Sequence, residues 1–197
     1  MPAPHSPERA SSSFLQAFLA ARKTIGAVRA TSPGVARHMA RLGGLSTASA
    51  VAELGPGTGA ITHELLRALP HNARLFGFEI YEPFVEVLRD SIQDSRFNLL
   101  QQSAETVAEV AHRETEQGFD AVISSLPFSL MGPELTRSVV RAAGEALRPG
   151  GVFVALQYHP WYLRPYLKAG FEQVDREFHP VNVPPVLLFR CRSPRRD

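Results

Sequence analysis

Val51-Ala52-Glu53-Leu54-Gly55-Pro56-Gly57-Thr58-Gly59 decides how this chain is read. Residues 51–54 form an apolar run with one acid, as a buried strand does, and glycines at 55, 57 and 59 then force a tight turn. Bare backbone there lets a ligand approach closely, and the helix expected over 60–69 aims its N-terminus into the same space. Glu79 lies 20 residues after Gly59, closing a second apolar run over 75–78, where a carboxylate can accept bonds from both hydroxyls of a ribose. This is the pattern of a nucleotide-cofactor turn. Gly55, Gly57 and Ala60 also satisfy the dinucleotide spacing G-x-G-x-x-G/A, so the glycines alone leave NAD open.

At 197 residues the chain is long enough for one α/β domain with a full core. A hydrophobic content of 44% and a charged content of 20% are ordinary for a soluble globule, and no apolar run is long enough to span a bilayer. Residues 1–13 lack the apolar core of a signal peptide and are expected to form a flexible tail. The single cysteine, Cys191, excludes an internal disulfide and a cysteine-built metal site; no metal is expected, and the cytosol is the default compartment. Charge is uneven. Residues 1–41 carry six basic groups against Glu8 alone, whereas residues 51–120 hold 12 acids and five arginines. Basic ends on a neutral body suit an anionic partner, nucleic acid or lipid headgroups, or simply solubilise the termini.

Ser13 can cap a helix whose apolar stripe is Phe14, Phe18, Ala21, Ile25 and Val28, with Arg22 and Lys23 beside it. Ser32-Pro33 is a cap followed by a first helical position, leading through Val35 and Met39 to Gly43-Gly44. Strands and helices then alternate: strands over 50–54, 75–79, 97–101, 119–124 and 152–157, helices over 60–69, 82–92, 105–116 and 133–147. That alternation predicts a parallel, doubly wound sheet. A short helix near 161–169 is weakened by Pro165, and the runs 171–178 and 186–192 read as a closing hairpin at the sheet edge.

A ligand in such a sheet sits across the carboxyl ends of the strands. The candidates are therefore the turn residues Glu53, Gly55, Pro56, Gly57, Thr58 and Gly59; Glu79 and Ile80 after the second strand; and Ser103 and Ala104 after the third, where Ser103 is equally a helix cap. After the fourth strand comes Ser124-Ser125-Leu126-Pro127-Phe128. Proline stiffens this loop so that backbone carbonyls point toward an incoming nitrogen, Ser125 adds a polar acceptor, and Phe128 is expected to pack over the reacting group. Past the fifth strand stand Tyr158, for ring contact with a cation, and His159, able to take a proton from an alkylammonium unless it is a surface histidine.

The acid before the glycines, with Pro56 and Gly59 inside the turn, resembles the S-adenosylmethionine loop of Rossmann-like methyltransferases. Taken as a whole, residues 14–192 resemble the bacterial phospholipid N-methyltransferases that act on phosphatidylethanolamine. The resemblance rests on Ile25-Gly26-Ala27-Val28 and Ser32, the turn, Ser124-Ser125-Leu126-Pro127, Leu147-Arg148-Pro149-Gly150-Gly151, Tyr158 with Pro160, and the Asn182–Pro185 stretch. Departures are Ser103 where aspartate is common and His159 where a small residue is usual.

The resemblance implies an α/β, Rossmann-like seven-stranded sheet, mostly parallel with an antiparallel C-terminal hairpin and helices on both faces. N-terminal amphipathic helices over 14–43 would serve as membrane contact or lid before a catalytic domain over 44–197. It implies S-adenosylmethionine as cofactor, with S-adenosylhomocysteine as product, and in-line attack of an amine on the sulfonium methyl. The expected acceptor is phosphatidylethanolamine, methylated toward phosphatidylcholine. Phe14, Phe18, Arg22, Lys23, Ser32 and Asn182 would lie on the substrate and membrane side. The expected place is the cytoplasm, peripherally on the inner face of the cell membrane. An rRNA adenine dimethyltransferase is a rival, although its loop carries asparagine where Ser125 stands and its helical RNA-binding domain follows the sheet. A non-catalytic cofactor-binding protein is the other.

Overall fold

Seven strands among the described residues form one sheet in the order β3-β2-β1-β4-β5-β7-β6: β1 (Ala50–Leu54), β2 (Arg74–Phe78), β3 (Phe97–Leu100), β4 (Phe119–Ser124), β5 (Leu147–Gln157), β6 (Phe171–His179) and β7 (Val186–Pro194). The computed structural model describes residues 31–159, 161–180 and 184–195. The stripe of Phe14, Phe18, Arg22 and Lys23, and Pro160 and Asn182, lie outside them. β1 to β5 are parallel; β7 runs antiparallel between β5 and β6. The expected parallel sheet with an edge hairpin is what forms.

Helices α1 (Pro33–Leu42), α2 (Thr62–Ala68) and α3 (Glu82–Ser91) cover one face. On the other lie α4 (Val107–Glu114), the short α5 (Phe128–Met131), α6 (Pro133–Glu145) and α7 (Arg164–Gly170). Double cover explains the apolar strand runs, since all five residues of β1 are buried. Val51 and Val154 meet Val35, Met39 and Leu65 on the first face. Phe76, Phe119, Phe153, Phe171 and Phe189 fill the second, Phe153 stacking on Phe171 with centroids 5.7 Å apart. Each such ring buried is worth roughly 1.5–3 kcal/mol. That layer outweighs the exposed ion pairs, each worth at most about 1 kcal/mol.

Local chemistry sets the boundaries. Ser32 caps α1, its Oγ accepting from Val35 N at 3.4 Å, and Pro33 occupies the first turn as expected. Buried Val35 and Met39 make α1 part of the sheet's own core. α2 begins at Thr62 rather than at residue 60, because residues 60–61 complete the glycine turn. Pro165 does not weaken α7: it sits in the first turn, where no amide is required. The Pro149-Gly150-Gly151 segment is not a turn ahead of a strand but lies inside β5, next to a register shift between Phe119 and Ala121. The segment after β4, read as loop, coils into α5.

One acid secures the end of the sheet away from the turn. Asp120 Oδ2 accepts from Ser49 N at 2.7 Å and Ala50 N at 2.9 Å, and its Oδ1 from Arg148 Nε at 2.6 Å. Burial pushes this carboxyl up, but the Ala50 amide, Arg148 and the Ser49 amide outweigh it and hold it below the usual aspartate range. Asp120→Ala should cost about 2–3 kcal/mol in urea unfolding at neutral pH, as expected for hydrogen bonds to a charged group. Because the folded state keeps this group ionised, the wild-type advantage is full above the ordinary aspartate range and is lost as pH falls through it. An equal cost at all pH values would contradict this account.

Candidate active site

The sheet order changes direction between β1 and β4, and the segments leaving the carboxyl ends of β1, β2, β4 and β5 meet there. Gly55, Gly57 and Gly59 all adopt positive φ, at 76°, 61° and 87°. A side chain at 55 is excluded twice over, since a Cβ there would stand 2.7 Å from Leu126 Cδ2. Gly55 N donates to Phe78 O at 3.0 Å, and Ser125 Oγ donates to Gly55 O at 2.9 Å. The turn is thus bonded to β2 on one side and to the loop after β4 on the other.

Two carboxyls flank the turn in opposite states. Glu79 is satisfied: Oε2 accepts from Gly57 N at 3.1 Å, and Oε1 from Ile80 N at 2.9 Å and Tyr81 N at 3.0 Å. Glu53 is 1% exposed, and neither of its oxygens makes a well-formed hydrogen bond, the Thr62 hydroxyl beside it giving only a weak contact. Burial pushes its carboxyl up from 4.5 to about 8; the Thr62 hydroxyl counters this in part, and the Glu79 charge adds to it. A buried acid with two orphaned oxygens beside a ligand turn suits a cation. S-adenosylmethionine brings an ammonium and a sulfonium, so these residues fit it; the anionic pyrophosphate of NAD would be repelled by the same acid once ionised.

The loop after β4 is braced more heavily than its sequence suggests. Ser124 Oγ accepts from Leu126 N at 3.3 Å, and Ser125 N donates to Leu54 O at 3.2 Å. The Leu126 carbonyl receives Phe128 N at 2.9 Å and Gln157 Nε2 at 2.9 Å, so it is occupied twice. The Pro127 carbonyl receives Leu130 N at 2.8 Å. That leaves the Ser125 carbonyl as the loop's candidate acceptor. Gln157, 3% exposed at the end of β5, is the residue that sequence reasoning passed over. Its signal was one amide closing the apolar run of β5.

Other expectations divide. Phe128 does not lie over the acceptor: α5 turns it into the core, where it is 0% exposed. Ser103 caps the one-turn helix Ala104–Thr106, its Oγ accepting from Glu105 N at 3.3 Å, which is the capping alternative of the two expected for it. Ser32, expected on the substrate side, serves as the α1 cap described above. Pro56 is buried, Thr58 is exposed, and Ala104 is half-buried. Tyr158 is half-buried against the α1 side of the core, whereas His159 is exposed.

Glu53→Gln should weaken S-adenosylmethionine binding by roughly 1.5–3 kcal/mol, the worth of a hydrogen bond to a charged group. In the wild type at pH 7, donor binding should release a proton in part, because burial favours neutral Glu53 in the empty site and the incoming cation favours its ionised form. Calorimetry in buffers of different ionisation enthalpy reads that proton, and a release unchanged in the variant would remove Glu53 from the site. Gln157→Leu should lower turnover roughly tenfold, about 1.4 kcal/mol, with donor affinity intact, since it removes one of the two bonds that hold the Leu126 carbonyl, and one to Leu156 within its own strand, but none to the glycine turn. Weakened donor binding instead would put Gln157 on the wrong side of the site.

The comparisons with known proteins agree with this geometry. Residues 51–151, running from β1 into β5 and so including the turn and the loop, match the family described as "Methyltransferase domain". The chain is 27% identical over 181 residues to the ornithine lipid N-methyltransferase of Singulisphaera acidiphila, spanning 91% of this chain and 94% of that one. Among solved structures, the N-methyltransferase NodS from Bradyrhizobium japonicum WM9 superposes with a TM-score of 0.65 at 17% identity, covering 82% of this chain and 96% of that one. An O-methyltransferase from Klebsiella pneumoniae gives 0.68 at 16% identity, covering 96% and 91%. With the glycine turn, the orphaned acid and a family match over half the chain together, the protein belongs to the methyltransferase-domain family and uses S-adenosylmethionine as its methyl donor.

Proposed function

We propose that this enzyme methylates the amino group of a membrane lipid headgroup, phosphatidylethanolamine being the acceptor that the sequence pattern favours. The observation that carries the proposal is the placing of exposed apolar side chains. Ile80 is 36% exposed, Leu130 39%, Trp161 71% and Phe178 63%. Ile80 follows β2, Leu130 belongs to α5 after β4, Trp161 follows β5, and Phe178 stands near the end of β6, which runs parallel to β5. These four of the five large exposed apolar side chains among the described residues stand at the edge of the sheet where the ligand turn opens; the fifth, Val87, lies on α3. Large apolar side chains gathered round one edge suit contact with a lipid interface, aromatic rings especially. The lipid-methylating relative, similar over nearly the whole chain, supports the same reading.

In this proposal Glu53 holds the cationic end of the donor, residues 55–59 its methionine part, and Glu79 with Ile80 the ribose, Glu79 keeping its Tyr81 amide. Ser103 and Ala104 border the adenine. When bound, the donor supplies an electrophilic methyl group. The protein's own contribution is mostly positional. Ser124 and Ser125 fix the loop to the turn, Leu126 and Pro127 give it stiffness, and the Ser125 carbonyl accepts a hydrogen bond from the headgroup amine. A lipid ammonium must first lose a proton to become a nucleophile, and His159, exposed just after β5 with Tyr158 beside it, is proposed to take that proton. The segment bearing Phe14, Phe18, Arg22 and Lys23 is proposed to lie along the same anionic membrane surface.

The test offers labelled donor to phosphatidylethanolamine vesicles, ornithine-lipid vesicles and total RNA in parallel. Label in the phosphatidylethanolamine supports the proposal as stated, and label in ornithine lipid alone moves the acceptor within the lipid class. Label in RNA alone overturns it. Trp161→Ala with Phe178→Ser should lower vesicle methylation roughly tenfold, about 1.4 kcal/mol of interfacial contact, with donor affinity unchanged. Unaltered vesicle activity would separate the apolar edge from the substrate.

A further inference from the structure

Away from the glycine turn, three potential metal ligands meet where α1 crosses the edge hairpin. His38 lies on α1; Glu177 and His179 lie two residues apart on β6, so their side chains share one face of the strand. Nitrogen and oxygen donors from all three fall within 4.8 Å of one another. His38 Nε2 is 2.6 Å from Glu177 Oε2, and His179 Nε2 is 3.8 Å from the same oxygen. The two imidazoles face each other with centroids 4.6 Å apart. His179 Nε2 is buried and makes no hydrogen bond, which is unusual for an imidazole nitrogen that could turn to water. Glu177 is 48% exposed, so an ion has a way in.

We propose that His38, Glu177 and His179 form a three-ligand site for a borderline divalent ion, Zn2+ being the best match. Two imidazoles and one carboxylate with a fourth position open to water is a familiar zinc set. At bond lengths of about 2.0–2.2 Å, a tetrahedral ion needs its ligand atoms a little over 3 Å apart. Small side-chain rotations would open the 2.6 Å contact, close the 3.8 Å one and draw the two imidazole nitrogens together from a separation of at most 4.8 Å. Hard ions such as Mg2+ and Ca2+ prefer all-oxygen sets and are excluded by the imidazoles.

Arg41 is the group opposed to the ion. Its Nη2 lies 2.7 Å from His38 Nδ1, which places the imidazole proton on Nε2, facing Glu177. When the metal takes Nε2, that proton moves to Nδ1, and Arg41, an exposed side chain, must turn outward. Bound metal would therefore exchange the helix-to-strand hydrogen bond of His38 to Glu177, and the Arg41 bond within α1, for coordination, pinning α1 to the strand that leads into the hairpin turn. The site stands apart from the donor turn, and its failure would leave the methyl-transfer proposal untouched.

The experiment uses the tag-free, full-length protein, dialysed against Zn2+ and then metal-free buffer, with metal content measured by atomic emission and thermal midpoint by calorimetry. Wild type should retain about one equivalent and show a midpoint several degrees higher with Zn2+ but not with Mg2+. His179→Ala should lose both effects. His38→Gln, which keeps a hydrogen-bonding group toward Glu177, should lose them as well. His112→Ala, exposed on α4, should keep them. Wild type without stoichiometric zinc, or zinc retained equally in the folded His38 and His179 variants, overturns the proposal.

Discussion

The carboxyl edge of this enzyme depends on the bonding of one glycine turn to the two segments beside it. Gly55 donates its amide to the Phe78 carbonyl and accepts the Ser125 hydroxyl on its own carbonyl, while Gly57 donates its amide to Glu79. These bonds tie together three segments far apart in sequence; both glycines hold a positive φ that a side chain would strain, and at Gly55 a side chain would also strike Leu126. Deeply buried parallel strands on both sides make the placement rigid, because β1 cannot shift without disturbing two apolar layers at once. Rigidity of that kind is what positional catalysis requires, since misplacement by about 1 Å is costly in rate.

Within that frame the two acids do different work because their surroundings differ. Glu79 faces three amides and can remain charged without a ligand. Glu53 faces a hydroxyl and a neighbouring negative charge in a dry interior, and is driven toward its neutral form. Divergent environments for nearby carboxyls are a common mark of a binding or reacting centre.

Periodicity and punctuation made most of the fold legible. The strands, α1 with its Ser32-Pro33 start, and the closing hairpin could be read from apolar runs and helix caps, because these signals are local. What could not be read was decided by contacts distant in sequence. Phe128 looked like a site aromatic because it follows Leu126-Pro127, but α5 hands it to a core assembled from residues more than forty positions away, such as Phe171. Gln157 carried almost no signal, since its importance lies in reaching a carbonyl 31 residues earlier. The pairing of His38 with Glu177 spans 139 residues, beyond any motif. Pro165 misled in the other direction, because a proline is a helix breaker or a helix starter according to a boundary that only packing fixes.

The contact between residue 55 and Leu126 has a meaning for anyone redesigning the enzyme. Space left by the absent side chain on the glycine turn is filled by a branch of Leu126 from the loop after β4. The two segments are therefore one mechanical part divided between distant stretches of the gene. The loop after β4 cannot be exchanged freely in this protein: a larger residue at 126 presses on the glycine turn, and a smaller one leaves it unsupported. Drift at either position is constrained by the other, and a graft that hopes to alter acceptor choice must carry both.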